Sequence, residues 1–239
     1  MLELLLRTLE ETKSDTCQCG FWVDDVHLSI SSYGSRAIYQ NEEVIIALID
    51  GKIKNVVWNK LYRKSLFENI YFPKGTLFED VAVMHQIVDK AKKVVVLSDR
   101  KYHYRQRDNS IIQTRTAKNL VECVEATIKR YNYVQSHHPQ LFYERKIDLL
   151  KIIAMSISRV WRWWYGCNSY EKQRYNQRIE EFKYISQKNF PLLGYPSWPI
   201  YLRFSVFFMK SDTNLSFAFL YRLNQCYRRL HRRRGKIPL

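Results

Sequence analysis

Residues 58–111 read WNKLYRKSLFENIYFPKGTLFEDVAVMHQIVDKAKKVVVLSDRKYHYRQRDNSI, and their polar groups recur with a regularity that core packing alone does not require. At the centre, a turn containing Pro73 and Gly75 runs into Val81, Met84, Val88 and Ala91 at helical spacing. Glu79 and Asp80 are therefore predicted to open a helix. Thr76 followed three residues later by Glu79 fits a capping box, in which each side chain serves the other residue's amide. That role needs Glu79 and leaves Asp80 free. In the first turn the helix dipole favours an ionised carboxylate, which is the state a general base requires.

Outward from this acidic pair lie two strand-like runs. Val56, Val57 and Trp58 lead into Asn59, Lys60, Leu61, Tyr62 and Arg63. Val94 to Leu97 lead, through a short polar turn, into Tyr102, His103, Tyr104, Arg105, Gln106 and Arg107. The expectation is that the three polar clusters converge on one cleft.

In this order, Trp-Asn-Lys-Leu-Tyr-Arg, Phe72-Pro-Lys-Gly, Glu79-Asp80-Val, a Lys-Lys-Val strand, Tyr102-His-Tyr-Arg-Gln-Arg and Asn109-Ser-Ile resemble the second half of the catalytic domain of bacterial family 2 glycosyltransferases. These are inverting enzymes of surface-polysaccharide synthesis with a GT-A fold. The resemblance covers roughly residues 1–115. It implies an α/β class: a partial GT-A-like mixed sheet with flanking helices, followed by a helical C-terminal extension over 116–239. It also implies that Asp80, beside Glu79, deprotonates the acceptor hydroxyl. Trp58, Asn59, Lys60 and Tyr62, with His103, Tyr104 and Arg105, would line the acceptor and phosphate side.

In that family the acceptor half follows a nucleotide-binding half ending in an Asp-x-Asp motif that holds a divalent metal on the sugar diphosphate. This sequence opens with MLELLLRTLEETKSDTCQCGFWV, which resembles the helix and strand that normally come after that motif. The resemblance thus implies a form lacking the donor site. The chain would hold no cofactor itself, with Mg or Mn expected only in an intact enzyme, and would show little transfer alone. A nucleotide sugar and a polysaccharide or lipid-linked acceptor are the implied substrates. A non-catalytic remnant or acceptor-binding subunit is the alternative.

The composition is globular: 46% hydrophobic and 15% aromatic over 239 residues. A net charge of +16 points to anionic partners, whether phosphates, an acidic bilayer or nucleic acid. No nucleic-acid-binding module is recognisable, and the basic residues concentrate beside apolar segments of the tail, so nucleic acid is not the expected partner. Five cysteines without a CxxC spacing suit a reducing, cytoplasmic setting. No glycine-rich phosphate loop or zinc-ligand spacing occurs, no signal peptide is expected, and no apolar run approaches the ~20 residues of a membrane span.

Around the central stretch, Leu2, Leu5, Leu6 and Leu9 form one apolar stripe on a first helix. Thr16 to Val23 alternates as a strand with Cys17, Cys19, Phe21 and Val23 on one side. The Asp24-Asp25 pair reads as a solvated strand end, Asp25 to Gln40 as a loop or hairpin, and Asn41-Glu42-Glu43 as the opening of a short helix through Leu48, closed near Gly51. Residues 118–136 and 140–165 read as amphipathic helices parted at His137-His138-Pro139, with that histidine pair solvated. The second ends in Trp161, Trp163 and Trp164, which suit either a core or a headgroup layer. A polar helix over 170–188 and a proline-marked linker follow. From Trp198 on, bulky apolar groups alternate with arginine, and after Asp212 no acidic residue remains. This tail reads as docking to an anionic membrane on its inner, cytoplasmic face, or as packing on the catalytic half.

Overall fold

The computed structural model describes residues 1–23, 36–105, 116–164 and 166–211. The Asp24-Asp25 pair, the first part of the expected loop, Gln106 and Arg107, the Asn109-Ser-Ile motif and the tail from Asp212 lie outside the described residues. The chain is α/β, with a four-stranded mixed sheet, flanking helices and a helical C-terminal region. It divides into two compact units, Met1–Arg115 with Glu125–Glu144, and Thr116–Val124 with Arg145–Leu239.

In the first unit, α1 (Leu2–Thr12) leads into β1 (Thr16–Val23), with Lys13 closing the helix in the left-handed conformation. β2 (Arg36–Gln40), α2 (Glu42–Ile49), β3 (Lys60–Tyr62), α3 (Glu79–Asp89) and β4 (Lys93–Tyr104) follow. The strand order is β2-β4-β1-β3. β1 runs parallel to β4 and antiparallel to β3, and β2 is antiparallel to β4. The parallel pairing starts at Asp15, whose carboxylate accepts the backbone amides of Lys92 and Lys93 at 2.9 and 3.1 Å.

Leu5 and Leu9 of α1 pack on Cys17, Cys19, Val95 and Leu97, covering one face of the sheet. Thr16, Gln18, Val94 and Val96 point the other way and are buried as well. The central strands are therefore covered on both faces, as parallel pairing favours. The expected four-leucine stripe on α1 is only half right, because Leu2 and Leu6 are exposed and Thr8 takes a buried place. The described cysteines are all free thiols.

Three further expectations are corrected. Val56, Val57 and Trp58 do not form a strand, since the side-chain amide of Asn59 donates to the Cys19 carbonyl at 2.7 Å and the ladder begins only beyond it. No turn interrupts Val94–Tyr104. The strand runs straight through, with irregular register opposite Gly20 absorbing the mismatch. The capping box is absent: the Thr76 hydroxyl donates to the Pro73 carbonyl at 3.1 Å, and Phe78, at φ 59°, is the residue before the helix.

In the chain's second half, α4 (Ala117–His137) and α5 (Pro139–Trp164) part at His138, and Pro139 stands at the first helical position, where its missing N–H costs nothing. α6 (Ser169–Asn189) begins at Asn168, whose side chain accepts the Glu171 amide at 2.9 Å. α7 (Ile200–Ser211) follows the proline-marked linker. The core of the second unit includes Leu149, Ile153, Ile157, Trp161, Ile179 and Phe182. Trp161 is buried, whereas Trp163 and Trp164 are half-buried, with Trp163 meeting the Tyr175 ring edge-on at 6.3 Å. Among the described residues no helix is long and apolar enough to cross a membrane.

Candidate active site

Asp80 lies in the first turn of α3, half-buried, and its Oδ1 accepts the Val81 amide at 2.7 Å. The carboxylate that serves a helix-end amide is thus Asp80, while Glu79 is exposed. Burial raises the Asp80 pKa, the Val81 amide opposes that rise, the Glu79 charge adds to it, and Lys60 lowers it again.

β3 supplies the opposing groups. Lys60 and Tyr62 are two residues apart and share a strand face, while Leu61 points to the opposite core. Lys60 is only 6% exposed. Its Nζ donates to the Val56 carbonyl at 2.5 Å and to Asn59 Oδ1 at 3.0 Å, so it is turned inward and ties down the loop that carries Trp58. Burial pulls its pKa down to about 7, against the attraction of Asp80. The Tyr62 hydroxyl is enclosed and has no hydrogen-bond partner among the described residues, and burial together with the Asp80 charge raises its pKa. An enclosed donor without a partner beside a carboxylate is what an incoming hydroxyl would satisfy.

The aromatic members assemble separately. Trp58 stacks on Tyr102 with centroids 4.3 Å apart, lies at 5.1 Å and 16° to Tyr104, and meets Phe21 edge-on at 4.8 Å. The sequence-predicted groups around Trp58 and around Tyr104 do come together. Strand alternation sends His103 to the other face, opposite Trp22 in register, and Arg105 is exposed just beyond the strand. Asn59 is wholly buried, and its side-chain amide donates to the Cys19 carbonyl.

Sequence reasoning missed a second polar cluster behind α3. Asp89 accepts from the Tyr133 hydroxyl at 2.7 Å, and its other oxygen lies 2.9 Å from His138 Nε2. Buried Arg130 donates to Asn55 Oδ1 at 2.5 Å and more weakly to the Val81 carbonyl at 3.4 Å. His85 packs on Tyr133 at 4.7 Å, and burial with the Arg130 charge pulls its pKa down to about 3. His138 is therefore not solvated as expected. The available signal was periodic, because Arg130 falls on the buried stripe of Val124, Thr127 and Val134.

Among the described residues no group of three His, Cys, Asp or Glu side chains is placed to hold a metal ion.

No protein-family model matches the chain. It is 30% identical over 171 residues, 67% of this chain and 49% of the relative, to the Bacillus subtilis protein named "Putative glycosyltransferase EpsH". It is 39% identical over 67 residues, 26% of this chain and 22% of the relative, to "Glycosyltransferase GlyG" of Streptococcus pneumoniae serotype 4. The chain spans about half the length of the first relative and about a fifth of the second. Both relatives carry the name of one enzyme class, and this chain is similar to part of each.

Proposed function

We propose that the chain forms the acceptor side of an inverting, family 2 glycosyltransferase of GT-A type that acts on a lipid-linked or surface-polysaccharide acceptor. The single observation that carries this reading is the half-buried Asp80 carboxylate at the mouth of α3, near enough to Lys60 for that charge to lower its pKa and to raise the pKa of the Tyr62 hydroxyl, which has no hydrogen-bond partner among the described residues. Asp80 takes the proton of the acceptor hydroxyl. The freed oxygen attacks the anomeric carbon of the nucleotide sugar, the bond from that carbon to the diphosphate breaks, and the nucleoside diphosphate departs with the bonding pair. Burial that raises the carboxyl's pKa makes it a better proton acceptor than a solvated aspartate. Trp58, Tyr102 and Tyr104 offer an apolar wall for the sugar rings of the acceptor.

No step here passes through a metal. The nucleotide sugar is held by a donor-binding half, as the resemblance implies. The excess of basic residues draws the chain to an anionic bilayer, so its place is peripheral, on the cytoplasmic face, with no role for nucleic acid. The test is sugar transfer to a lipid-linked acceptor by the purified chain alone and with a donor-binding segment supplied in trans. Transfer only in the mixture is expected. Robust turnover by the chain alone would overturn the division of labour, and acceptor binding without turnover in any mixture would reduce the chain to a binding subunit.

A further inference from the structure

We infer that the linker and α7 of the second unit form an apolar wedge that inserts into the headgroup layer of an anionic phospholipid membrane. On α7, Leu202 and Val206 are buried, as is Trp198 just before it, packed on Phe190 and Tyr195 with ring centroids 5.6 and 5.1 Å away. At 100° per residue, Ile200, Tyr201 and Phe204 fall together on the opposite side of the helix. They are 70%, 59% and 55% exposed. Leu192 and Leu193 of the linker are 56% and 52% exposed as well. Arg203 Nε donates to the Leu193 carbonyl at 3.2 Å and fastens the linker to the helix. Gly194, at φ 65°, takes a left-handed conformation that favours glycine, and a Cβ there would press on Trp198 and Arg203 at 3.2–3.4 Å.

Five large apolar side chains, each more than half exposed, on one helix face and the linker fastened to that helix are uncommon on a surface that meets only water. Charge selects the occupant. From Phe190 to Leu239 the sequence carries nine Lys or Arg against the single acidic Asp212. Two copies of this region would repel each other, whereas an anionic lipid surface attracts it. An amphipathic helix with aromatic and aliphatic groups on one face and basic residues around it lies in the interface plane. This goes beyond electrostatic docking of the tail, because the contact is apolar and formed by described residues upstream of it. It does not depend on the transfer reaction either, since it is measured without a sugar donor.

The full-length chain is sedimented with vesicles of phosphatidylcholine, with and without phosphatidylglycerol, at moderate and at high salt. Binding to the anionic vesicles is expected, retained in part at high salt, and reduced at least ten-fold in a double Ile200→Ser, Phe204→Ser variant. Phe204→Leu retains binding, and Tyr143→Ser, at an exposed tyrosine of the first unit, leaves it unchanged. Phe204→Trp gives a blue-shifted emission only with anionic vesicles. Wild-type-like sedimentation of the double-serine variant would show that charge alone binds the chain and would overturn the wedge. An unchanged emission of Phe204→Trp on vesicles, or a lowered melting temperature of the double variant with unaltered partition, would show instead that the chain covers this face itself.

Discussion

The indole of Trp58 lies against the ring of Tyr102, centroids 4.3 Å apart and planes 26° from parallel, which joins two segments more than forty residues apart. Because Trp58 precedes the Asn59 and Lys60 anchors, the stack fixes the loop on the aromatic side while Lys60 fixes it on the other. Replacing Trp58 with alanine empties a half-buried site in contact with three rings, so a loss of about 2–4 kcal/mol is expected in urea unfolding. Trp58→Phe should lose about 1 kcal/mol and keep acceptor binding, which Trp58→Ala should weaken. Equal unfolding midpoints for Trp58→Ala and wild type would show that the stack contributes nothing.

Lys60 imposes a pH dependence whose sign follows from its depressed pKa of about 7. Between that value and the ordinary lysine range, the unfolded chain binds a proton that the folded chain does not. Stability from this group is therefore lowest below pH 7 and rises with pH through the window, with a limiting slope of about 1.4 kcal/mol per pH unit. Lys60→Met removes the titration, and also leaves the Val56 carbonyl and Asn59 Oδ1 without their donor, costing about 1–3 kcal/mol at all pH values. The difference between wild-type and Lys60→Met unfolding free energies should increase from pH 7 to 9.5. A flat difference would mean that the amine is solvated.

Asp80→Asn tests the proposed base. The amide keeps an oxygen for the Val81 N–H and sheds a buried charge, so stability should stay within about 1 kcal/mol of wild type. Transfer in the reconstituted enzyme should fall by at least a hundred-fold, the lower range for losing a general base. Because burial raises the Asp80 pKa, the acidic limb of the wild-type rate profile should lie above the range of a solvated aspartate. A rate unaffected by the substitution would remove Asp80 from the chemistry.

Much of this arrangement was legible in the residues, and the failures have identifiable causes. β1 was readable because Cys17, Cys19, Phe21 and Val23 alternate, and the break between α4 and α5 because Pro139 can only begin a helix. β3 was misplaced by residues because the side chain of Asn59 performs a ladder bond normally made by backbone, and side-chain mimicry leaves no periodic trace. Glu79 and Asp80 open α3 as predicted, whereas its cap was misattributed because the left-handed Phe78 is not a residue that propensity would choose for that conformation. The partition of Tyr104 and His103 onto opposite faces required knowing that β4 continues without a turn. The cluster around Asp89 is built from α3, α4 and the residue that joins α4 to α5, and long-range pairing of that kind is invisible to local pattern.

The buried thiols should be chemically silent. Burial, with the neighbouring Cys19, pushes the Cys17 pKa up to about 12, and burial raises that of Cys19. At pH 8 neither holds an appreciable thiolate, the form that attacks disulfide reagents. Native protein treated with an aromatic disulfide should leave both cysteines unlabelled, as read by peptide mass, and denaturant should expose them. Rapid labelling of Cys17 in the native state would mean that α1 lifts from the sheet readily.

Asp89 holds Tyr133 and His138 through its two separate oxygens, so the three side chains should act as a unit. Tyr133→Phe removes the hydrogen bond to one oxygen and His138→Ala the imidazole 2.9 Å from the other, each at an expected cost of about 1–2 kcal/mol. Once either partner is gone, Asp89 relaxes toward the remaining one or toward water, and the second removal then costs a different amount. A double-mutant cycle should show a coupling of about 0.5–2 kcal/mol. Asp89→Ala, which removes the acceptor of Tyr133 and the carboxylate beside His138 at once, should cost more than either single change. Strict additivity, with Asp89→Ala no worse than Tyr133→Phe, would mean that the two contacts are independent and that Asp89 does not tie α3 to the junction of α4 and α5.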